Sequence, residues 1–344
     1  MDVSSDVSAE AGIYAIPLPT SFAVGPVNSY LIEDDPLTLV DAGPNSATTF
    51  AALEDGLAAL GHRVDDLDLI LVTHQHLDHM GLVGLLARRS GAEVAALNLL
   101  QPWLANYGES INAQQRYVNE IMATNGVPRE IRLVVRAMGR QRNGWGAPAD
   151  VTMPLTPGQE LELRDRTLRI LHRPGHSPSD TVFLDGERRI MIGGDHLLGH
   201  ISSNPVITRP LTGSPYPRPQ TLVTYIASMQ ATAADPVDVV LPGHGQPVHD
   251  HRELIRTRLQ LHHERRDRLY ELIVERPRNA HELARELWAD EAISQAALTI
   301  SEVLGHVDLL LNDGAVVEQP DAEGVVTFVA ADSPNTPAPA PAVA

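Results

Sequence analysis

Three histidines and an aspartate fall within six positions of this chain, in the stretch Thr73-His74-Gln75-His76-Leu77-Asp78-His79-Met80-Gly81. Imidazole and carboxylate donors at that density form a metal-ligand set of the zinc type, held at one site or divided between two metals. The stretch directly follows the apolar run Leu69-Ile70-Leu71-Val72, which places it in a loop at the end of a buried strand. Read as extended chain, it puts His74, His76 and Asp78 on one side, while the turn at His79 sends a fourth ligand in another direction. The chain holds no cysteine, so nitrogen and oxygen donors alone must satisfy a metal, and thiolate nucleophiles and disulfides are excluded.

Three more candidates stand beside glycines at the ends of strand-like runs. His176 follows Leu168-Arg169-Ile170-Leu171 in the turn Pro174-Gly175-His176-Ser177-Pro178. Asp195 follows Arg189-Ile190-Met191-Ile192 in Gly193-Gly194-Asp195-His196. His244 follows Val237-Asp238-Val239-Val240-Leu241 in Pro242-Gly243-His244-Gly245. Glycine permits the turns by which a short loop aims a ligand inward. One histidine in a glycine turn is ordinarily structural, but repetition at successive strand ends favours a shared site. Asp41 closes an earlier run of the same form, Leu37-Thr38-Leu39-Val40-Asp41-Ala42-Gly43.

The elements that would position these residues alternate between strand and helix. Strands are expected near 28–32, 37–41, 69–72 and 92–97, with helices over about 47–60 and 81–89, and that order implies an α/β sandwich. Residues from about 99 to 142 break the pattern and read as a helical insertion beside the metal loop, with Trp103 inside it and Trp145 just past its end. Such an insertion suggests a lid that shapes a substrate pocket; Trp103, Tyr107, Met122 and Met138 also suffice for a small core of its own. Beyond 250, Asp250 and Glu253 resemble a helix start with an acid in the first turn. A long arginine-rich helix over 251–275, further helices over 279–287 and 293–311, and a hairpin of 316–318 with 325–329 follow.

In its ordered set of Asp41, His74-x-His76-x-Asp78-His79, His176, Asp195 and His244, spread over residues 13 to 250, the chain resembles the metallo-β-lactamase fold superfamily of hydrolases. The resemblance implies an α/β fold, an αββα four-layer sandwich with a dinuclear site at one edge. It implies that His74, His76 and His176 hold one metal, that Asp78, His79 and His244 hold a second, and that Asp195 bridges them. Two divalent ions, zinc or else iron or manganese, about 3.5 to 4 Å apart would clamp a bridging hydroxide. Asp78 would be the catalytic residue that orients that hydroxide and takes its proton, and Asp41 a hydrogen-bond partner of a ligating histidine. The bridging aspartate resembles the glyoxalase II-like and lactonase-like branch, with an acyl carbonyl of a thioester, lactone or carboxylic ester as target. The alternative is a phosphodiesterase or ribonuclease using the same site. Many relatives have glycine and histidine after the His-Ser-Pro turn, where this chain has Ser179 and Asp180.

On this reading residues 12–250 form the catalytic domain, with the lid at about 99–145. Residues 251–330 form a small C-terminal winged-helix-like domain, and 331–344 a disordered Pro/Ala-rich tail. The formal charge of -18 and pI near 5.2 argue against a nucleic-acid or anionic-membrane partner. A small-molecule acyl substrate is expected instead, with the C-terminal region completing the lid or pairing two copies as a homodimer. All 26 basic residues are arginine, which excludes Schiff-base chemistry and a P-loop lysine. Met1 to Ala11 carries no basic segment followed by an apolar run, and a cytoplasmic location is the expectation.

Overall fold

The computed structural model describes residues 6–331, so the expected Pro/Ala tail lies almost wholly outside the described residues. Two sheets span residues 13–242. The first runs in the order β1 (Ile13–Leu18), β2 (Val27–Ile32), β3 (Thr38–Val40), β4 (Leu69–Val72), β5 (Glu93–Leu97) and β6 (Met153–Leu155). The second contains β7 (Glu160–Glu162), β8 (Thr167–His172), β9 (Thr181–Asp185), β10 (Ile190–Gly194) and β11 (Val239–Pro242), spatially from β11 to β7. Strands β3 to β6 are mutually parallel, as are β10 and β11, so several carboxyl ends open on one edge.

The helices are α1 (Asp6–Glu10), α2 (Ala47–Ala59), α3 (Leu77–Met80), α4 (Val83–Ser90), α5 (Gln101–Ala105), α6 (Tyr107–Thr124), α7 (Arg129–Arg142), α8 (Thr221–Ala234), α9 (His251–Glu275), α10 (Ala280–Trp288), α11 (Glu291–Ser294) and α12 (Ala296–Asn312). After them comes the hairpin β12 (Val316–Pro320) with β13 (Val326–Ala330). Among the described residues no helix is long and apolar enough to cross a membrane.

Strand periodicity builds the layers. In β4, Leu69 and Leu71 turn toward the second sheet and share a core with Ile170, Phe183, Ile192 and Leu241. Ile70 and Val72 point the other way, against Leu53 and Leu57 of α2 and Val83 and Leu86 of α4. Burial on both faces explains why β4 reads as an unbroken apolar run. The outer face of the second sheet packs Val182, Leu184 and Val240 under Leu222, Tyr225 and Met229 of α8 and Ile255 of α9. Helix, sheet, sheet and helix therefore stack as four layers, as the ligand order led one to expect. Each fully buried aliphatic or aromatic side chain contributes about 1.5–3 kcal/mol.

The insertion does not keep a core of its own. Leu104 and Tyr107, with Trp103, join the core under the first sheet. Tyr117, Ile121 and Met122 join a separate cluster with Leu269, Leu283, Val303 and Phe328 of the C-terminal elements. Met138, expected inside, is 39% exposed. The helices of the insertion take their apolar cover from whichever neighbour lies on each side.

A buried imidazole pair lies between α9 and α12. His306 donates from Nδ1 to the Glu302 carbonyl oxygen at 2.7 Å, leaving Nε2 to accept from His262 Nδ1 at 3.1 Å. Burial pushes both rings from the ordinary 6.5 to about 4. Both stay neutral in the fold and become charged in the unfolded chain, so the unfolded state binds more protons between these values. Stability is expected to be complete above pH 6.5 and to fall by a few kcal/mol as pH drops toward 4. Denaturant midpoints across that range should show a shallower acid limb in His262→Leu/His306→Leu than in the wild type.

Candidate metal centre

The end of each relevant strand delivers one or more donors to a common edge. Strand β4 runs into His74, His76, Asp78 and His79, and β8, β10 and β11 lead to His176, Asp195 and His244. Asp41 follows β3 in the left-handed region, φ 58°, anchored by its N–H to the Leu71 carbonyl at 2.9 Å. The loop differs from the extended reading. His76 is the cap of the helical turn α3, which carries Asp78 and His79, because His79 and Met80 both donate their N–H to the His76 carbonyl at 3.0 Å. The turn lifts Asp78 and His79 off the line of His74 and His76 and toward His244.

All seven sequence-derived donors come together. The ligand atoms of His74, His76 and His176 lie within 4.8 Å of one another, as do those of Asp78, His79 and His244. His76 Nδ1 faces His74 Nε2 at 3.1 Å and His176 Nε2 at 2.9 Å. His244 Nε2 is 3.4 Å from Asp78 Oδ2. Asp195 sits between the two groups, with Oδ1 3.3 Å from His79 Nε2 and Oδ2 3.5 Å from His176 Nε2 and 3.6 Å from His244 Nε2.

Four of the rings are fixed from behind. His176 donates from Nδ1 to the Asn204 carbonyl at 2.9 Å and His244 to that of Pro26 at 2.8 Å. His79 donates to Asp41 Oδ2 at 2.7 Å. The Thr73 hydroxyl donates to the same carboxylate at 2.7 Å and so accepts from His74 Nδ1 at 3.0 Å. Each contact selects the tautomer whose Nε2 lone pair enters the site. Gly243 closes the far side: a Cβ there would stand 2.3 Å from Asp195 Oδ1 and 2.7 Å from His79 Cε1, so only glycine admits this approach.

The residues fit a divalent cation. His79 Nε2, Asp195 Oδ1 and His244 Nε2 are buried with no hydrogen-bond partner, a costly state for polar atoms unless a ligand meets them. Burial holds His74 well below the usual imidazole range and brings His76 down to about 3, with neighbouring rings adding to the effect, so both offer lone pairs at neutral pH. Burial also works against charge on His79, yet Asp195 and Asp41 on its two sides raise its proton affinity well above the ordinary value. Asp195 is buried too, but His79, His244 and His176 around it keep its carboxyl well below the usual range. Positive charge is thus favoured between His79 and Asp195, where a cation would replace the proton.

Several supporting residues carry no mark in the sequence. Tyr30 Oη and Asn28 Nδ2 both donate to the Pro242 carbonyl, at 2.7 and 3.0 Å, and hold the turn that bears His244. Ser179 and Asp180, at the positions that depart from many relatives, brace the His176 turn: the Ser179 hydroxyl bonds Gln75, and Asp180 accepts from Ser177 N at 2.8 Å and Oγ at 2.7 Å. His196 turns away, its Nε2 2.8 Å from Thr232 Oγ1, and His200 Nε2 lies 3.3 Å from the Val24 carbonyl.

A family profile described as the metallo-beta-lactamase superfamily matches residues 23–244. The probable metallo-hydrolase YqjP of Bacillus subtilis (strain 168) is 30% identical over 304 residues, covering 88% of this chain and 93% of that protein. The hydroxyacylglutathione hydrolase GloC of Haemophilus influenzae is 25% identical over 193 residues, covering 53% of this chain and 73% of GloC. A metallo-beta-lactamase family protein of Thermus thermophilus superposes with a TM-score of 0.78 at 26% identity, over 93% of this chain and 99% of that one.

Proposed function

We propose that this chain, which belongs to the metallo-beta-lactamase superfamily and is a metal-dependent hydrolase, holds two divalent ions and hydrolyses a carboxylic acyl group, with thioesters as its substrate class. The observation that carries the metal count is Asp195, whose two carboxylate oxygens face members of both donor groups. His74, His76 and His176 would hold one ion, Asp78, His79 and His244 the other, and Asp195 both. Zinc suits this nitrogen and oxygen set, with iron or manganese as alternatives. The ions would supply an activated water at neutral pH and a Lewis acid for the developing oxyanion.

The chain's own groups do the rest. Asp78 takes up the proton of the attacking water on a carboxylate oxygen. Asp41, through His79 and Thr73, keeps the imidazoles aligned before substrate arrives, so no reorganisation is needed during reaction. The thioester reading draws on GloC, whose name specifies an acylglutathione. We read residues 251–330 as a winged-helix-like support for the insertion, not as a nucleic-acid grip, because the arginines of α9 are already matched. Arg256 pairs with Glu253 at 2.5 Å, Arg268 with Glu271 at 2.8 Å, and Arg265 with Glu302.

The test combines metal analysis with a panel of a thioester, a lactone and a bis-phosphodiester. Two metal equivalents per chain and fastest turnover of the thioester are expected. A single equivalent would remove the dinuclear reading, and fastest turnover of the phosphodiester would replace the acyl reading with the phosphodiesterase one.

A further inference from the structure

Positive charge in this acidic chain gathers on the helical insertion. Between Gln101 and Trp145 stand six arginines, Arg116, Arg129, Arg132, Arg136, Arg140 and Arg142, against three glutamates, in a chain of net charge -18. None of the six forms an ion pair among the described residues. Arginines elsewhere commonly do: Arg166 meets Asp34 at 2.9 Å, Arg189 meets Asp238 at 2.7 Å and Arg218 meets Asp308 at 2.6 Å. Two of the six have other uses. Arg132 donates to the Val127 carbonyl at 3.1 Å, and the Arg142 guanidinium lies 5.3 Å over the Phe22 ring.

Arg116, Arg136 and Arg140 line one cavity of about 280 Å³ between α6 and α7, with Asn112, Gln115 and Asn119 supplying amides. Glu120 at the same cavity accepts a hydrogen bond from the Tyr216 hydroxyl at 2.9 Å. Arg136 and Arg140 are one helical turn apart, a like-charge spacing that destabilises a helix unless an anion sits between them. Three guanidiniums with amide N–H groups suit phosphate, whose several oxygens accept forked hydrogen bonds and whose charge exceeds that of one carboxylate.

The cavity is linked to the metal centre. Helix α7 ends in the turn Asn143–Trp145, and the Trp145 carbonyl accepts from Asn45 N at 2.6 Å and lies over Gly81, two residues beyond His79. At about 1.5 Å per residue, Arg140 and Arg136 stand roughly 8 and 14 Å back along the helix from that contact. An anion held there would stand roughly 8 to 14 Å along α7 from the Gly81 contact, a span that an extended thiol arm would cover.

We propose that this cavity binds phosphate at the remote end of the leaving group, so that the substrate is an acyl thioester of a phosphate-bearing thiol; this rests on the thioester reading above. Hydrolysis breaks the acyl C–S bond, joins the water oxygen to the acyl carbon, and releases the carboxylic acid and the thiol with its phosphate intact. Binding energy gained on the phosphate serves to orient the distant carbonyl. The thiol arm has two sources, free coenzyme A and the phosphopantetheine arm of a carrier protein.

The experiment compares wild type with R136Q/R140Q. Calorimetry with pyrophosphate is expected to show binding that weakens at least about tenfold in the variant, with unchanged circular dichroism and a melting temperature that is not lowered. The ratio of kcat/KM for an acyl-coenzyme A to that for the same acyl group on N-acetylcysteamine, which has no phosphate, is expected to fall about 10- to 100-fold. Preference for the coenzyme over the acyl-carrier protein assigns the free thiol, and the reverse assigns the carrier; either supports the site. Pyrophosphate binding that is absent from the wild type, or equal in the variant, overturns it. So does an oligonucleotide that binds more tightly than pyrophosphate and depends on the same arginines. If anion binding is lost in the variant while no thioester is turned over, the anion site stands and the thioester reading falls.

Discussion

Asp78→Ala is expected to lower kcat by about 10²- to 10⁴-fold, the range for loss of a positioned proton acceptor, with the fold retained. Asp78 is 8% exposed, set in the single turn α3, with Oδ2 3.4 Å from His244 Nε2. Burial resists its charge, yet the contact with His244 and the nearby His79 hold its carboxyl below the usual range, so it is an anion at neutral pH and ready to take a proton. The turn itself depends on backbone bonds from His79 and Met80 to His76, which an alanine preserves. Because Asp78 is also assigned to the second ion, kcat must be read at saturating metal with metal content measured alongside. Asp78→Asn separates the roles, keeping an oxygen donor while losing basicity. Wild-type turnover in the alanine variant at full metal loading would sink the assignment.

Asp41→Ala carries the largest expected loss of stability. Its carboxylate accepts from Thr73 N at 2.9 Å, the Thr73 hydroxyl at 2.7 Å and His79 Nδ1 at 2.7 Å, all out of water. Removing one partner of a buried charged network costs about 3–5 kcal/mol, and alanine tolerates φ 58° poorly. Asp41→Asn is the sharper experiment. If its amide nitrogen faces His79, the ring must accept at Nδ1 and carry its proton on Nε2, the atom that enters the site. Metal affinity should then fall about 10- to 100-fold even where urea midpoints show a folded protein. An asparagine variant with wild-type metal affinity would show that Asp41 serves the fold alone.

Adjacent residues alone were enough to pick out the candidate donors. Imidazoles and carboxylates after apolar runs, beside glycine, are local signals, since a strand's period and a turn's backbone needs are set by adjacent residues. The alternation of strand and helix led to an α/β sandwich, and the four-layer stack was what the family resemblance implied. Only the tertiary structure decided how the donors group and what holds them. The carbonyls of Pro26 and Asn204 that fix His244 and His176 are chemically the same as every other carbonyl in the chain, so no residue type announces them. Trp103 and Met122, expected to share one core, were sent to two: Trp103 to the core under the first sheet, Met122 to the distant C-terminal residues Leu269, Leu283 and Val303. Charge shows the same division: α7 and α9 are both rich in arginine, but among the described residues Arg256, Arg265, Arg266 and Arg268 of α9 form ion pairs and the arginines of α7 form none. Whether a guanidinium is spent on the fold or left for a ligand depends on what stands opposite it in space, and composition does not record that.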